Sequence, residues 1–279
     1  MKLINQSYEI CKTHCYTLQD IYKDIERAAR VSYKSEDKIT EDSAEEMVKR
    51  LINMKHYSPL EFGTIYLKIR DVVCCKIILE ANANGCLAKP WVRLNKVNGI
   101  DSDGRHITNY YITTNYRFIV ENRLEKLLQY MCGPTEHHQK RITVHFITNR
   151  AVSHELVRHR SMSFMQESQR YVAYDKDKFG NEITFIKPAL MYTDEQYIQI
   201  QQALSYAETA YMNLRKSGLK PQQARYVLPN ATKTELYMCG FEDDWAHFFE
   251  LRDKQYVDPQ MYDLAHCLHS DFIWKGKCK

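Results

Sequence analysis

The sequence lacks any apolar run that approaches the ~18 residues needed to span a bilayer. The first residues also lack the apolar centre of a secretory signal. The nine cysteines have no repeated spacing, and neither Cys11 with Cys15 nor the adjacent Cys74 and Cys75 offers four tetrahedral zinc ligands. These absences predict a cytoplasmic protein with reduced thiols, no metal site and no membrane partner.

A strong charge of either sign is also missing, because the formal net charge is only +4 over 279 residues. Nucleic-acid-binding proteins concentrate basic residues on one face, so this balance predicts no nucleic-acid partner, although it suits a site for small anions. No internal repeat is present, which argues against a solenoid. The length suffices for one large core, and no linker interrupts it, so we predict a single domain over residues 1–279.

The spacing of apolar residues predicts the elements of the first half of the chain. It indicates a helix over 18–30 and a second helix that Ser43 and Glu46 begin as a capping box. Strict alternation predicts strands over 65–69 and 142–146.

The segment between these two strands, 71–140, reads as a long insertion. It contains a glycine-rich turn at 99–104 and a helix over 120–131 that buries Leu124, Leu127 and Leu128.

Start and stop signals organise the second half. A short helix is predicted over 151–159, and Thr193 with Gln196 caps a long one that ends before Gly218. Pro221 begins another short helix, and two more follow, over about 243–252 and from Pro259 onward. The order of elements predicts an α+β fold in which helices pack around a modest, mostly antiparallel sheet.

The segment His154-Glu155-Leu156-Val157-Arg158-His159 superficially resembles a zinc-protease helix. Zinc-binding histidines on one helical face need i,i+4 spacing, whereas His159 stands at i+5, roughly 140° around the helix. The spacing therefore argues against a metal site. It places Glu155 and Arg158 on one face, as i,i+3 neighbours.

Basic and hydroxyl side chains are concentrated just beyond this helix. Arg158, His159 and Arg160 are followed by a polar segment that contains Ser168 and Arg170. If 168–172 is extended, Ser168 and Arg170 point the same way, and a hydroxyl beside a guanidinium fork suits a phosphate. The segment therefore predicts an anion site.

Arg-His-Arg, seven further residues and Ser-x-Arg-Tyr together resemble the signature of flavin-dependent thymidylate synthases. Four more blocks match that family in the same order. They are Arg27-Ala28-Ala29-Arg30-Val31-Ser32-Tyr33, His56-Tyr57-Ser58-Pro59-Leu60-Glu61, Ala224-Arg225-Tyr226-Val227-Leu228-Pro229 and His247-Phe248-Phe249-Glu250-Leu251-Arg252.

The resemblance implies an enzyme that converts dUMP to dTMP. In this family methylenetetrahydrofolate supplies the carbon, and FAD reduced by NADPH supplies the hydride. The family assembles as a homotetramer whose active sites form where subunits meet. The hydride chemistry belongs to the cofactor, so the protein is expected to bind, orient and polarise the reactants.

Carried onto this sequence, the resemblance implies three groups of site residues. The FAD contacts are Ser58, Arg158, His159, Arg160, Gln166 and His247, with Ser32 near an FAD phosphate. The dUMP contacts are Glu155, Arg158, Gln166, Glu167, Ser168, Gln169, Arg170, Arg225 and Arg252. Arg252 is the catalytic candidate, because a permanently protonated guanidinium stabilises negative charge on the uracil ring.

Two places depart from the family pattern. Met165 stands where asparagine or serine is frequent, and residues 241–243 replace a segment that elsewhere contacts the flavin. Arg252 also has a simpler interpretation, as an ion-pair partner of Glu250 or Asp253. The alternative function is a non-catalytic nucleotide-binding or RNA-binding protein that uses the same arginines for phosphate.

Overall fold

The computed structural model describes residues 1–13, 15–70, 76, 78, 80, 91–189 and 192–277. Cys74, Cys75 and part of the insertion predicted at 71–140 lie outside these residues. In the described part the helices are α1 (Leu18–Val31), α2 (Ser43–Asn53), α3 (Tyr116–Glu121), α4 (Arg150–Leu156), α5 (Asp194–Lys216), α6 (Pro221–Ala224), α7 (Glu242–Arg252) and α8 (Pro259–Lys277). Short 3-10 helices span Glu36–Lys38, Ser58–Phe62, Glu125–Tyr130, Asp177–Phe179 and Arg225–Val227.

The strands of the described residues divide among three sheets rather than forming the one modest sheet that we expected. They are β1 (Lys2–Ile4), β2 (Ser7–Ile10), β3 (Thr64–Ile69), β4 (Arg93–Ile100), β5 (His106–Asn115), β6 (Arg141–Asn149), β7 (Ser163–Gln166), β8 (Thr184–Ile186) and β9 (Lys233–Phe241). Two sheets are antiparallel, with orders β2-β6-β9-β7 and β3-β5-β4, and β1 pairs with β8 in parallel. The prediction of a helix-and-sheet fold with mostly antiparallel pairing is confirmed.

The four-stranded sheet positions the arginine-rich motif and two helices. Strand β6 leads directly into α4, and β9 leads directly into α7. Because β6 and β9 are antiparallel, these helices begin at opposite ends of the strand pair. Arg252 at the end of α7 then meets Glu155 on α4. Strand β7, which lies between the two halves of the motif, forms the edge beside β9.

The core beneath this sheet follows from the apolar spacing. Val144 and Phe146 of β6 are fully buried, and Trp245 of α7 covers them with its ring 6.4 Å from that of Phe146. The indole N–H of Trp245 donates to the Ile142 carbonyl, so its polar atom is satisfied inside the core. The inward residues predicted for the last helix, Met261, Leu264, Ala265 and Leu268, are all buried.

The helix predicted over 120–131 is wrong as a single element. Helix α3 ends at Glu121, Arg123 adopts a left-handed φ of 56°, and a 3-10 helix follows over Glu125–Tyr130. Leu124 and Leu127 are still buried, whereas Leu128, which was expected beside them, is half-buried. Periodicity identified the buried face but not the break, because a break is set by backbone torsions.

Helix boundaries were predicted best where a side chain caps the end. Thr193 and Gln196 form the expected capping box, and Gly218 follows α5 with a φ of 94°. The capping box predicted for Ser43 is wrong. Ser43 is the first residue of α2 and not its cap, and its hydroxyl donates to the buried Glu26 carboxylate at 3.0 Å.

Candidate anion-binding site

The arginine-rich segment begins where α4 has already ended. The helix stops at Leu156, three residues earlier than predicted, so residues 157–160 form a turn. Arg158 and Arg160 are exposed there, and neither pairs with a carboxylate of the described residues. Within the described part of the chain, no cluster of three or more acidic, histidine or cysteine side chains is arranged to hold a metal ion. The turn is thus a basic surface.

His159 lies between these arginines but points into the protein. Its Nδ1–H donates to the Leu156 carbonyl at 2.9 Å, and its ring meets Phe248 edge-on at 4.9 Å. Burial lowers the pKa of His159, and the charge of Arg252 acts in the same direction. The imidazole is therefore held neutral, and it supports the turn from beneath.

A loss of stability at mildly acidic pH is expected from this burial. An unfolded chain protonates histidine near pH ~6.5, whereas the folded chain resists protonation of His159 to a lower pH. The neutral His159 therefore makes its full contribution to the free energy of unfolding above the unfolded pKa. That contribution is lost as the pH falls toward the folded pKa. The slope of stability against pH is measured by the urea unfolding midpoints at pH 7.5 and 5.5. His159→Gln should reduce this slope.

The pKa of His138 is also lowered by burial, so part of the slope should remain in that variant. A slope in His159→Gln equal to that of the unchanged protein would contradict the assignment of a neutral imidazole to His159.

Arg252 is bound to Glu155 and not to either neighbour that the sequence offered. Its Nη1 donates to Glu155 Oε2 at 2.6 Å, and its Nη2 donates to the Glu155 carbonyl at 3.3 Å. Glu250 instead contacts His247, and Asp253 accepts hydrogen bonds from two histidines of α8. The buried Nε of Arg252 has no hydrogen-bond partner. The guanidinium is fixed from one side and retains an unused donor.

Gln166 and Glu167 connect the motif strand to the rest of the sheet. Gln166 Nε2 donates to Ser153 Oγ of α4 at 2.9 Å and to Thr234 Oγ1 at 3.1 Å. Glu167 is only 2% exposed, and Lys233 Nζ lies 3.0 Å from its carboxylate. Tyr174 adds a hydrogen bond from its hydroxyl at 3.4 Å. The Glu167 side chain thus anchors the following residues.

Residues 168–172 form a turn and not the extended segment that we predicted. The backbone N–H groups of Tyr171 and Val172 both donate to the Ser168 carbonyl, and the Arg170 N–H donates to Ser168 Oγ at 3.3 Å. Ser168 and Arg170 are still neighbours, but through turn geometry rather than alternation. The half-buried Gln169 lies between them.

Two contacts attach this turn to distant parts of the chain. The Ser168 N–H donates to the Ser32 carbonyl at 3.1 Å, and Arg170 Nε donates to Gln222 Oε1 of α6 at 3.2 Å. Helix α6 leads directly into the exposed Arg225. The motif, the end of α1 and the Arg225 segment are therefore adjacent, as an anion site built from several blocks requires.

A cavity of about 570 Å³ lies beside the turn. Its wall contains Ser32, Ser58, His56 and Met165, which the sequence had singled out. Sequence reasoning missed the basic part of the wall, which consists of Arg30, Lys38 and Arg50. No aspartate or glutamate is among the lining residues, so the wall favours anions.

The predicted site residues fall into two groups in a single chain. Ser32, Ser58 and His56 line the cavity, whereas His247 and Arg252 of α7 lie with Glu155 and the Arg158–Arg160 turn, outside its wall. At 241–243, Phe241 is buried and Asp243 pairs with Arg93 at 3.1 Å. The sequence could have pointed to Lys38 and Arg50 only through the alternation and spacing of charges. Such patterns are weak evidence that two residues share one cavity wall.

The basic cavity wall and the arginine-rich turn both offer donors of the kind that suit an anionic ligand. The sequence model of one family, described as thymidylate synthase complementing protein, matches residues 15–79 and 105–272. The chain belongs to that family. The family model leaves both ends of the chain and residues 80–104 unmatched, and 80–104 fall within the insertion predicted at 71–140.

Individual relatives match shorter stretches. A flavin-dependent thymidylate synthase of Geobacter sulfurreducens is 37% identical over 105 residues, which are 37% of this chain and 44% of that protein. One of Pyrococcus furiosus is 31% identical over 146 residues, covering 50% of this chain and 59% of its own. The chain thus matches about half the length of these curated relatives.

Among solved structures, the UMP/dUMP methylase PolB of Streptomyces cacaoi bound to 5-Br dUMP is 18% identical. It aligns with 98% of this chain and 92% of its own, with a TM-score of 0.44. In the described residues, no helix has both the length and the apolar character that crossing a bilayer requires.

Proposed function

We propose that this chain is a flavin-dependent thymidylate synthase, which methylates dUMP to dTMP. Methylenetetrahydrofolate is the proposed carbon donor, and NADPH is the proposed reductant. The observation that carries the proposal is the Arg252–Glu155 pair, which sets a guanidinium with a free buried donor beside the arginine-rich turn of this family. The curated relatives described above carry the name of this activity, which supports the proposal.

The residues present fit a flavin dinucleotide by charge and by donor type. Its diphosphate needs cations and short donors, and the cavity offers the hydroxyls of Ser32 and Ser58 for it. The exposed Arg158 and Arg160 add two unpaired guanidinium groups. We assign Ser58, Arg158, Arg160, Gln166 and His247 to direct contacts with FAD, which supplies the hydride when it is bound and reduced. His159, which was expected among these contacts, is turned inward and is assigned to support of the Arg158–Arg160 turn.

The turn at Ser168 is the proposed seat of the dUMP phosphate. Ser168 and Arg170 supply a hydroxyl and a guanidinium, and the nearby Arg225 supplies a second one. Glu155, Arg158, Gln166, Glu167 and Gln169 are assigned to the remainder of the nucleotide pocket. Arg252 stabilises the negative charge that develops on the pyrimidine when its N3 proton is lost.

A homotetramer in the cytoplasm is the proposed assembly. The two groups of site residues are separate in one chain, and the basic surface around Arg158 and Arg160 is open. Facing copies would bring a cavity from one subunit to the turn of another. Sedimentation of the purified protein measures the assembly directly.

The visible spectrum of purified protein tests the proposed function. We expect flavin absorption bands that bleach when NADPH is added without oxygen, and dTMP formation when dUMP and methylenetetrahydrofolate follow. A colourless protein that binds no added FAD and consumes no NADPH with dUMP would refute the proposal. The alternative, a non-catalytic nucleotide-binding or RNA-binding protein, predicts that result together with a steep salt dependence of binding.

Ser168→Ala should weaken dUMP binding more than FAD binding, since the hydroxyl lies at the proposed phosphate seat. Loss of one charge-assisted hydrogen bond costs about 1.5–3 kcal/mol, or roughly 10- to 100-fold in Kd. Titration with each ligand separately measures the two effects. Ser217→Ala is the control, because that hydroxyl donates only to the Leu214 carbonyl of its own helix end. Equal weakening of both ligands by Ser168→Ala would contradict the assignment.

A further inference from the structure

Two cations on the cavity wall, Lys38 and Arg50, have no carboxylate partner among the described residues. Lys38 ends the 3-10 helix Glu36–Lys38, and Arg50 lies in the last turn of α2. Neither side chain forms an ion pair within the described residues, and the one hydrogen bond of the Arg50 side chain there is to Met47 Sδ at 3.2 Å.

Three neighbouring cations, in contrast, are neutralised by carboxylates. Arg30 on the same wall donates to Glu26 at 2.9 and 2.5 Å. Lys34 lies 2.9 Å from Glu235, and Lys49, beside Arg50 in the sequence, lies 2.7 Å from Glu45. The charges of Lys38 and Arg50 therefore remain available to a ligand.

A purely structural role accounts for only one of the two. Arg50 at the end of α2 complements the helix dipole, which is a common use of arginine. Lys38 belongs to a different element and gains nothing from that dipole. Two like charges from separate elements on one wall that has no carboxylate cost repulsion, and an anion between them removes it.

The remaining wall indicates what else the ligand contains. Met47, Leu51 and Met54 line the same cavity and offer apolar surface next to the two cations. A volume of about 570 Å³ lies in the range that holds a drug-sized organic molecule, far beyond a single phosphate. The ligand that fits has an apolar or aromatic body and a multiply charged anionic end.

We infer that Lys38 and Arg50 form an anion subsite, separate from the Ser168 turn, which receives the charged end of a co-substrate. The inference rests on the proposed function, since it supposes that co-substrates enter this cavity. Two proposed co-substrates have a multiply charged anionic end. In NADPH it is the 2′-phosphate, and in a folate it is the glutamate carboxylates. Both are fixed by the same lysine and guanidinium donors.

Kinetics of the Lys38→Gln/Arg50→Gln double variant distinguish the two sources. A phosphate ligand predicts that KM for NADPH rises at least tenfold while KM for NADH is unchanged. A carboxylate ligand predicts that KM for methylenetetrahydrofolate rises at least tenfold, more with a longer glutamate tail. In both cases kcat stays within about twofold, and Lys38→Arg/Arg50→Lys restores most of the lost affinity. Both KM values within twofold of the unchanged protein overturn the inference.

Lys49→Gln is the matched control, because it removes a neighbouring cation of α2 that already has a carboxylate partner. It should change neither KM, and equal effects of Lys49→Gln and the double variant also overturn the inference. The thermal midpoint of each variant, measured alongside, establishes that folding is unchanged.

Equilibrium titration separates this inference from the proposed function. The probes are 2′,5′-ADP against 5′-AMP, and tetraglutamate against glutamate, each added to the full chain. Weaker binding of 2′,5′-ADP or tetraglutamate by the double variant supports the subsite even in a protein that makes no dTMP. No difference between the double variant and the unchanged protein for either probe overturns the subsite, whatever the protein's activity.

Discussion

Arg252→Ala is expected to abolish most dTMP formation while the protein keeps its flavin. The guanidinium is the proposed stabiliser of negative charge on the uracil ring, and removing one such donor costs about 10²- to 10³-fold in kcat. Arg252 is held by Glu155 at 2.6 Å and does not line the cavity assigned to FAD. Steady-state assays together with the flavin spectrum measure both quantities.

Arg252→Lys should recover only part of the activity, since lysine lacks the planar fork that binds Glu155 through two nitrogens. Lys254→Ala is the matched control, two residues along the chain, where the side chain lies over the exposed ring of Tyr256. Normal turnover by Arg252→Ala would refute the activating role. Loss of flavin in the same variant would reassign Arg252 to cofactor binding.

Glu61→Ala should produce the largest loss of stability among the charged residues considered. Glu61 is 4% exposed, and its carboxylate accepts from Arg117 Nη1 at 2.9 Å and from Ser163 Oγ at 2.5 Å. Breaking a fully buried pair from one side costs about 3–5 kcal/mol of the 5–15 kcal/mol that stabilises a typical domain. Because Arg117 is half-buried and keeps Glu121, we expect a loss near the lower end of that range. Urea unfolding measures the change.

The same substitution should also weaken FAD binding, because Glu61 ties the Ser58–Phe62 segment to the first residue of β7. Glu121→Ala is the control, since it removes the other, half-buried partner of Arg117. An i,i+4 pair of that kind contributes about 0.3–0.5 kcal/mol. If Glu61→Ala and Glu121→Ala lower the unfolding midpoint equally, the buried network does not carry the stability assigned to it.

Local signals predicted the elements well where one side chain or one spacing decides the outcome. The capping box of Thr193 and the inward residues of α8 are examples. Prediction failed where backbone torsions decide. Arg123, with its φ of 56°, breaks the helix predicted over 120–131, and the turn after Ser168 replaces an extended segment. Neither torsion leaves a periodic trace in the sequence.

The candidate site shows the same division. The residues of the motif are contiguous, so their grouping could be predicted from the sequence. The partner of Arg252 could not, because Glu155 lies 97 residues away and meets it only after β6 and β9 have paired. The basic wall formed by Arg30, Lys38 and Arg50 escaped notice for the same reason, since these residues come from three separate elements.

The sequence by itself determined the family, the helix-and-sheet class and the identity of the arginine-rich motif, because these depend on residue order and local spacing. Only the tertiary structure decided which charges are used up and which remain available. It turned His159 inward, paired Glu167 with Lys233 and Arg252 with Glu155, and left Lys38 and Arg50 without a carboxylate partner among the described residues. The physical reason is that the role of a charge depends on its neighbours in space. Strand pairing and helix packing choose those neighbours across the whole chain.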